Sequence, residues 1–180
     1  RYNSDWEIIF LDENNLHTYI DIEDLLVGRK IEMPRVSLSE IARINLLQKH
    51  GGVWVDASCF CCQPLDEWLL DKVSKTGFFA FNRPGVNRMI SSWFLAATPG
   101  NVLVEKYAET VNKFFKKHKS LVCIDKKWVV NLFIKRLRIQ QWLNKNPTFW
   151  LNFWFQGVLN IYPYYWFHYT FEKIYHQDPA

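Results

Sequence analysis

Residues Ser39 to Ser58 read SEIARINLLQKHGGVWVDAS, and this stretch decides the fold. Just upstream, Ser37 and Glu40 stand at capping-box spacing, in which each side chain satisfies a free backbone N–H of a helix's first turn. Leu38, Ile41, Ala42 and Leu46 recur at helical intervals and mark a core-facing stripe. The spacing predicts a helix over Ser37–His50. Gly51-Gly52 ends it, one glycine taking the left-handed position after the last turn. Val53–Ala57, VWVDA, reads as a buried strand with Asp56 near its carboxyl end.

This helix, turn and strand have a chemical consequence. Glu40 and Arg43 are three residues apart, so they share one helix face, away from the core stripe. Open α/β sheets bind ligands beyond the carboxyl ends of their strands. The segment therefore brings Glu40, Arg43 and Asp56 toward one crevice. A guanidinium fork suits phosphate or sugar hydroxyls. A carboxylate at a strand end suits a hard metal ion that grips phosphate oxygens. The same spacing also fits a surface salt bridge between Glu40 and Arg43 with a helix-capping aspartate, and both readings stand.

Working outward, Trp6–Leu11 (WEIIFL) reads as a buried strand stopped by Asp12-Glu13-Asn14-Asn15, and Leu16–Leu26 as a helix or two short turns. Phe78–Phe81 and Ile90–Ala97 read as strands. Val102–His118 reads as an amphipathic helix with Lys113, Lys116 and Lys117 late in it, where cations suit the dipole. Lys126–Asn144 reads as a more basic helix, and the aromatic stretch from Phe149 as helical on both sides of Pro163. Alternating strands and helices predict an α/β fold with a mainly parallel sheet. One domain spans 1–180. The ends, Arg1 and His-Gln-Asp-Pro-Ala, do not read as natural termini, so a fragment incomplete at both ends is expected.

Composition bounds the rest. Of 180 residues, 49% are hydrophobic and 22% charged, which excludes a disordered chain. Aromatics reach 17%, which suits a core, a sugar-binding surface or a membrane interface. Residues 1–70 hold 6 Lys and Arg against 12 Asp and Glu, and residues 71–180 hold 16 against 6, a split from −6 to +10. The basic half points to an anionic partner such as a phosphate or lipid surface, or to solvated helix faces. Its basic residues are scattered with no readout motif, so nucleic acid is not expected. No apolar run reaches the roughly 20 residues of a spanning helix. The 4 Cys, three within Cys59-Phe60-Cys61-Cys62, lack zinc-ligand spacing and read as buried reduced thiols of a cytoplasmic protein.

Ser39–Ser58 resembles the core motif of the capsular polysaccharide synthesis glycosyltransferases. That family is related to the DXD-motif sugar-binding glycosyltransferases, including fungal mannosyltransferases and the clostridial glucosylating toxins. The shared pattern is Ser-Asp/Glu, Arg three residues on, Leu, Gly-Gly, an aromatic and Asp-X-Asp. WEIIFLDENN (6–15) and YPYYWFHY (162–169) resemble its second strand and its aromatic C-terminal block.

The resemblance implies a GT-A-type nucleotide-sugar-binding domain whose first strand is missing from this chain. It implies transfer of a sugar from a nucleoside diphosphate to a growing surface glycan, capsular polysaccharide or lipopolysaccharide, with retention. By position, Asp56 and Arg43 are the catalytic pair. Ser39, Glu40, Arg43, Asp56 and Trp93 are donor-sugar-binding. Asp56 and Ser58 are metal candidates for Mn or Mg, with Ser58 standing where the wider superfamily has a second aspartate, and His168 joins them on the ligand chemistry of imidazole alone. The partners implied are the nucleotide-sugar donor and a glycan or lipid-linked acceptor, to which the basic second half adds an anionic membrane surface. The expected place is the cytoplasmic face of a bacterial inner membrane, peripherally bound.

Other side chains have two readings each. His168 holds a ligand or is a core histidine, Asn87 and Ser91–Trp93 flank the sugar pocket or are structural, and Asp12 closes the nucleotide site or forms a turn. Trp150, Trp154 and Trp166 stack on acceptor sugars, pack the core or meet lipid. Two other classes remain open. One is a non-catalytic membrane-surface or carbohydrate-binding module. The other is a glycosidase using Glu40 and Asp56, disfavoured because the neighbouring Arg43 favours ionised carboxylates.

Overall fold

The computed structural model describes residues 2–85, 87–124 and 145–177. The chain starts irregularly and makes two one-turn helices, α1 (Leu16–Tyr19) and α2 (Glu23–Leu26). Helix α3 (Arg35–His50), strand β1 (Gly52–Val55), helix α4 (Leu69–Thr76) and strands β2 (Phe78–Gly85) and β3 (Arg88–Ala97) follow. Then come α5 (Val102–Lys117), β4 (Val122–Ile124), a 3-10 turn (Pro147–Leu151), a π-helical turn (Trp154–Val158), β5 (Ile161–Pro163) and α6 (Trp166–Gln177). The expected helix at Lys126–Asn144 lies outside the described residues.

α3 starts two residues earlier than its capping box implies. Pro34 precedes it, and the carbonyl of Pro34 accepts the N–H of Leu38 at 3.0 Å. Ser37 thus lies inside the first turn, and no side chain caps the helix. Its hydroxyl pairs instead with Tyr162 at 2.9 Å, tying α3 to β5. At the other end Gly51 has φ 68° and ψ −153°, a region open essentially to glycine alone and distinct from the left-handed helical well. A Cβ there would lie 2.7 Å from Pro99, so the glycine also permits close approach of the loop after β3.

The sheet corrects the parallel expectation. Its order is β1-β3-β2, and both pairings are antiparallel. The two strands read at Phe78–Phe81 and Ile90–Ala97 extend toward one another until Gly85 faces Arg88. A link that short makes a hairpin, whereas a parallel crossover needs a dozen or more residues. β1 takes the other edge of β3. β4 and β5 pair parallel as a separate two-stranded sheet. The architecture is mixed α/β.

Trp6–Leu11 forms no strand, and Ile8 is 81% and Phe10 76% exposed. A strand needs a ladder partner, and none of the described strands pairs with this segment. The thiols are not buried either: Cys61 and Cys62 are exposed, and Cys59 and Cys123 are half-buried. Cys59–Cys62 form a surface loop after β1 rather than a continuation of it.

Alternation along β3 builds two apolar layers. Leu95 and Ala97 face the main core, with Ile41, Ile44 and Leu47 of α3, Tyr107, Val111 and Phe115 of α5, and Trp166, Phe167 and Phe171 of α6. Phe94 and Ala96 face a second cluster with Leu69 and Trp68. α3 and α5 are further matched by Asn45 and Asn112, whose side-chain amides exchange hydrogen bonds of 2.9 and 2.7 Å. Trp150 and Trp166 are core residues, while Trp154 is exposed. α6 thereby lies against both β3 and α5, and this packing closes the site described next.

Candidate active site

Asp56 sits just past β1, its N–H bonded to the carbonyl of Trp93 on β3 at 2.9 Å. Trp54, two residues back and so on the same strand face, donates its indole N–H to Asp56 Oδ1 at 2.8 Å. Arg43 reaches the same oxygen at 3.4 Å. Its Nε donates to the carbonyl of Ser39 at 3.2 Å, its Nη2 to Ser39 Oγ at 2.8 Å, and its Nη1 to the carbonyl of Ser92. The guanidinium also lies over Trp54, 5.1 Å from the ring centroid, and near Phe167 at 5.9 Å. α3, β1 and β3 are thus joined through one buried cation.

The surface salt-bridge reading is overturned. Arg43 pairs with Asp56, not with Glu40, and both Arg43 and Glu40 are only 5% exposed. The face of α3 that the sequence pattern leaves outside the core is covered, because Arg43 bridges from it to Asp56 and to the Ser92 carbonyl of β3. Burial pushes the Glu40 carboxyl up to about 8, against the pull of Arg43, and Asp56 adds to the rise. Desolvation therefore outweighs the neighbouring cation, contrary to the expectation that Arg43 would keep both carboxylates ionised.

A pH dependence follows. Between its ordinary value of 4.5 and about 8, Glu40 holds its proton in the folded state and releases it on unfolding. Its contribution to stability is complete at low pH and is lost as pH rises through that window. Glu40→Gln removes the titration, so its stability relative to wild type should grow from pH 5 to pH 8, toward a ceiling of about 5 kcal/mol. Urea unfolding of both proteins across that range checks this. A difference that does not change with pH sinks it.

Ser39, Glu40, Arg43, Asp56, Trp93 and His168 all line one cleft of about 470 Å³. Ser58 does not line it and lies in the exposed turn beyond Asp56. His168 on α6 is buried, and its Nδ1 has no hydrogen-bond partner among the described residues. Burial, with Arg88 and Arg43 nearby, lowers it to about 3, so it is neutral near pH 7. Asn87 donates to the Tyr169 hydroxyl at 2.9 Å and ties the hairpin to α6. Asp12 accepts the N–H groups of Asn14 and Asn15 at 2.8 and 3.1 Å, which makes it a turn former. It also borders a larger hollow of about 690 Å³ that shares Arg35 and Ser39 with the cleft. That hollow is mainly apolar with an acidic rim, whereas cations and carboxylates converge in the smaller cleft.

Several cleft residues escape a sequence reading. Trp54, which bonds Asp56 but lines the larger hollow, was legible in principle, since a tryptophan two residues before a strand-end aspartate shares its face and its N–H needs an acceptor. Arg35, Arg88 and Tyr165 come together only through the hairpin and the packing of α6.

A resident divalent ion fits this site poorly. Both contacts to Asp56 fall on Oδ1, leaving Oδ2 as one carboxylate oxygen, and among the described residues no three His, Cys, Asp or Glu side chains gather as a metal cluster. An ion at Asp56 would need oxygens beyond those of the described side chains, as Mg²⁺ takes from substrate phosphates beside one or two carboxylates.

A family model described as capsular polysaccharide synthesis protein matches residues 1–147, ending ahead of the aromatic block at Tyr162–Tyr169. A protein described as O-glycosyltransferase braB, from Annulohypoxylon truncatum, is 26% identical over 132 residues. The match covers 64% of this chain and 31% of that protein, so the chain corresponds to about a third of the relative's length. No solved structure gives a significant match.

Proposed function

The chain belongs to the capsular polysaccharide synthesis family, and from that premise we propose that it is part of a glycosyltransferase that moves a sugar from a nucleoside-diphosphate donor to a surface glycan. The observation that carries this is the convergence of Ser39, Glu40, Arg43, Asp56, Trp93 and His168, distant in sequence, on one cleft. Family membership and the place of Asp56 after its strand support a GT-A-type donor role. The antiparallel sheet adds nothing to it.

In this reading Asp56 orients Arg43 through their shared contact, and the two face the donor together. Glu40, nearly buried and protonated below about pH 8, meets sugar hydroxyls. Charge grows on the departing diphosphate, and fixed cations in a closed cleft stabilise it more in the transition state than before. No protein base is required if the acceptor's proton leaves with the phosphate, which accords with a retaining outcome.

Screening nucleotide sugars for turnover and thermal stabilisation, with and without Mn²⁺, tests the proposal. Transfer from at least one donor is expected. Mn²⁺ alone should leave melting unchanged, because an ion would be held mostly by donor phosphates. A melting rise with Mn²⁺ alone would overturn the metal part, and no turnover across the panel would overturn the function.

A glycosidase gains one observation, since the raised Glu40 resembles a general acid. The three arginines lining the cleft favour an anionic donor instead. Hydrolysis of aryl glycosides without nucleotide would reverse that ranking.

We further propose peripheral docking on an anionic membrane, at the cytoplasmic face and near a lipid-linked acceptor. The basic second half supports it, as do exposed Phe149, Phe153, Trp154, Val158 and Leu159. Among the described residues no helix is long and apolar enough to cross a membrane. Flotation with anionic vesicles that is lost at high salt is the expected result, and equal binding to neutral vesicles would refute it.

A further inference from the structure

Three arginines line the cleft, and they differ in what balances them. The side chain of Arg35 is 91% exposed and pairs with Glu13 at 3.4 Å. Arg43 is committed to Asp56, Ser39 and Ser92. Arg88 has no carboxylate partner among the described residues. Among the described residues its one hydrogen bond is a long one, from Nη2 to the carbonyl of Pro84 at 3.3 Å, and its buried Nε has no partner.

The structure holds this charge in place all the same. The guanidinium stacks on Tyr165, 4.4 Å from the ring centroid, so its plane is fixed while its edge stays free for an acceptor. Gly85 makes the room, since a Cβ there would lie 2.7 Å from Nη2. The neighbouring His168 is neutral near pH 7 and adds no competing charge. A half-buried cation with one weak hydrogen bond is costly unless an anion completes it.

We infer that Arg88 is the diphosphate-holding residue of the cleft, binding the phosphate oxygens and taking up their charge as the sugar departs. This rests on the glycosyltransferase reading. In the step, the bond between the sugar's anomeric carbon and the β-phosphate oxygen breaks, and its electron pair stays on that oxygen beside Arg88. The acceptor oxygen bonds the anomeric carbon, and its proton leaves with the diphosphate.

The test is calorimetric titration of the chain with inorganic pyrophosphate, alongside turnover of a nucleotide-sugar panel and melting of every variant. Wild type should bind pyrophosphate, and Arg88→Gln should bind about tenfold more weakly or worse, the loss of a charged hydrogen bond. Arg88→Lys should fall between, since a point charge replaces the planar fork. If Arg88→Gln does not fold, Arg88→Lys decides, and affinity equal to wild type overturns the inference. A folded Arg88→Gln that binds as wild type does overturns it too, as does a wild type that binds no pyrophosphate, and either leaves donor turnover intact as evidence for the function. If pyrophosphate binding depends on Arg88 but no nucleotide sugar is turned over, the leaving-group role falls along with the glycosyltransferase reading.

Discussion

Arg43→Ala is expected to lower the melting temperature by roughly 10 °C and to cut transfer per folded molecule by about 100-fold. The stability part follows from burial. Arg43 is 6% exposed as a side chain, and removing it strands Asp56, whose side chain is 33% exposed. Breaking a buried pair costs about 3–5 kcal/mol, and the partial exposure of Asp56 places this one at the low end. About 3 kcal/mol corresponds to the stated shift for a chain of this size. The substitution also takes away the cation above Trp54 and raises Glu40 further, because Arg43 is the influence that lowers it. The activity part follows from the cleft, where a charged hydrogen bond to the donor is worth about 1.5–3 kcal/mol. Arg43→Lys should recover part of the stability and little of the activity, since lysine cannot serve Asp56, Ser39 and Ser92 together. Melting and transfer are read side by side. Lower melting with unchanged transfer per folded molecule would make Arg43 structural only, and unchanged melting would mean that it joins nothing.

The same residues show how much of the molecule was legible in its sequence. The helix–diglycine–strand unit around Ser39–Ser58 is present, and Asp56, Arg43 and Glu40 share a cleft, because periodicity, glycine and β-branched residues act locally. The helix over Val102–Lys117 and the two one-turn helices before α3 are likewise local features. What failed depends on partners far along the chain. The WEIIFL run has strand composition, but no described strand pairs with it. Strand direction, by contrast, was legible from length, since the eight residues between Phe81 and Ile90 are too few for a parallel crossover. The protonation of Glu40 turns on its burial in the folded chain, which outweighs the nearby Arg43 and which sequence spacing does not reveal. Arg88 sits in an unremarkable stretch of sequence and acquires meaning only from Tyr165, across the hairpin and the packing of α6.

Asp56→Asn should abolish most transfer, by about 100-fold or more, while changing melting much less than Arg43→Ala does. The asparagine is nearly isosteric, and its Oδ1 still accepts the indole N–H of Trp54. What it loses is charge. Arg43 then keeps its bonds to Ser39 and Ser92, which hold it in the fold, but loses the anion that aligns its fork in the cleft. Two effects on activity add: a charged contact from Asp56 to the donor, about 10–150-fold by itself, and the misaligned guanidinium. Kinetic constants separate the roles. If Asp56 holds the donor equally in ground and transition states, KM rises and kcat stays; if it steers Arg43 toward the charge that develops on the diphosphate, kcat falls. On the proposed donor role of Arg43 a fall in kcat is expected, because Asp56 Oδ1 touches Arg43 and orients it. A purely non-catalytic carbohydrate-binding module predicts something else, namely no turnover to lose and glycan affinity independent of the charge at Asp56. Near-wild-type turnover by a well-folded Asp56→Asn protein would remove the carboxylate from the mechanism and move the site away from the end of β1.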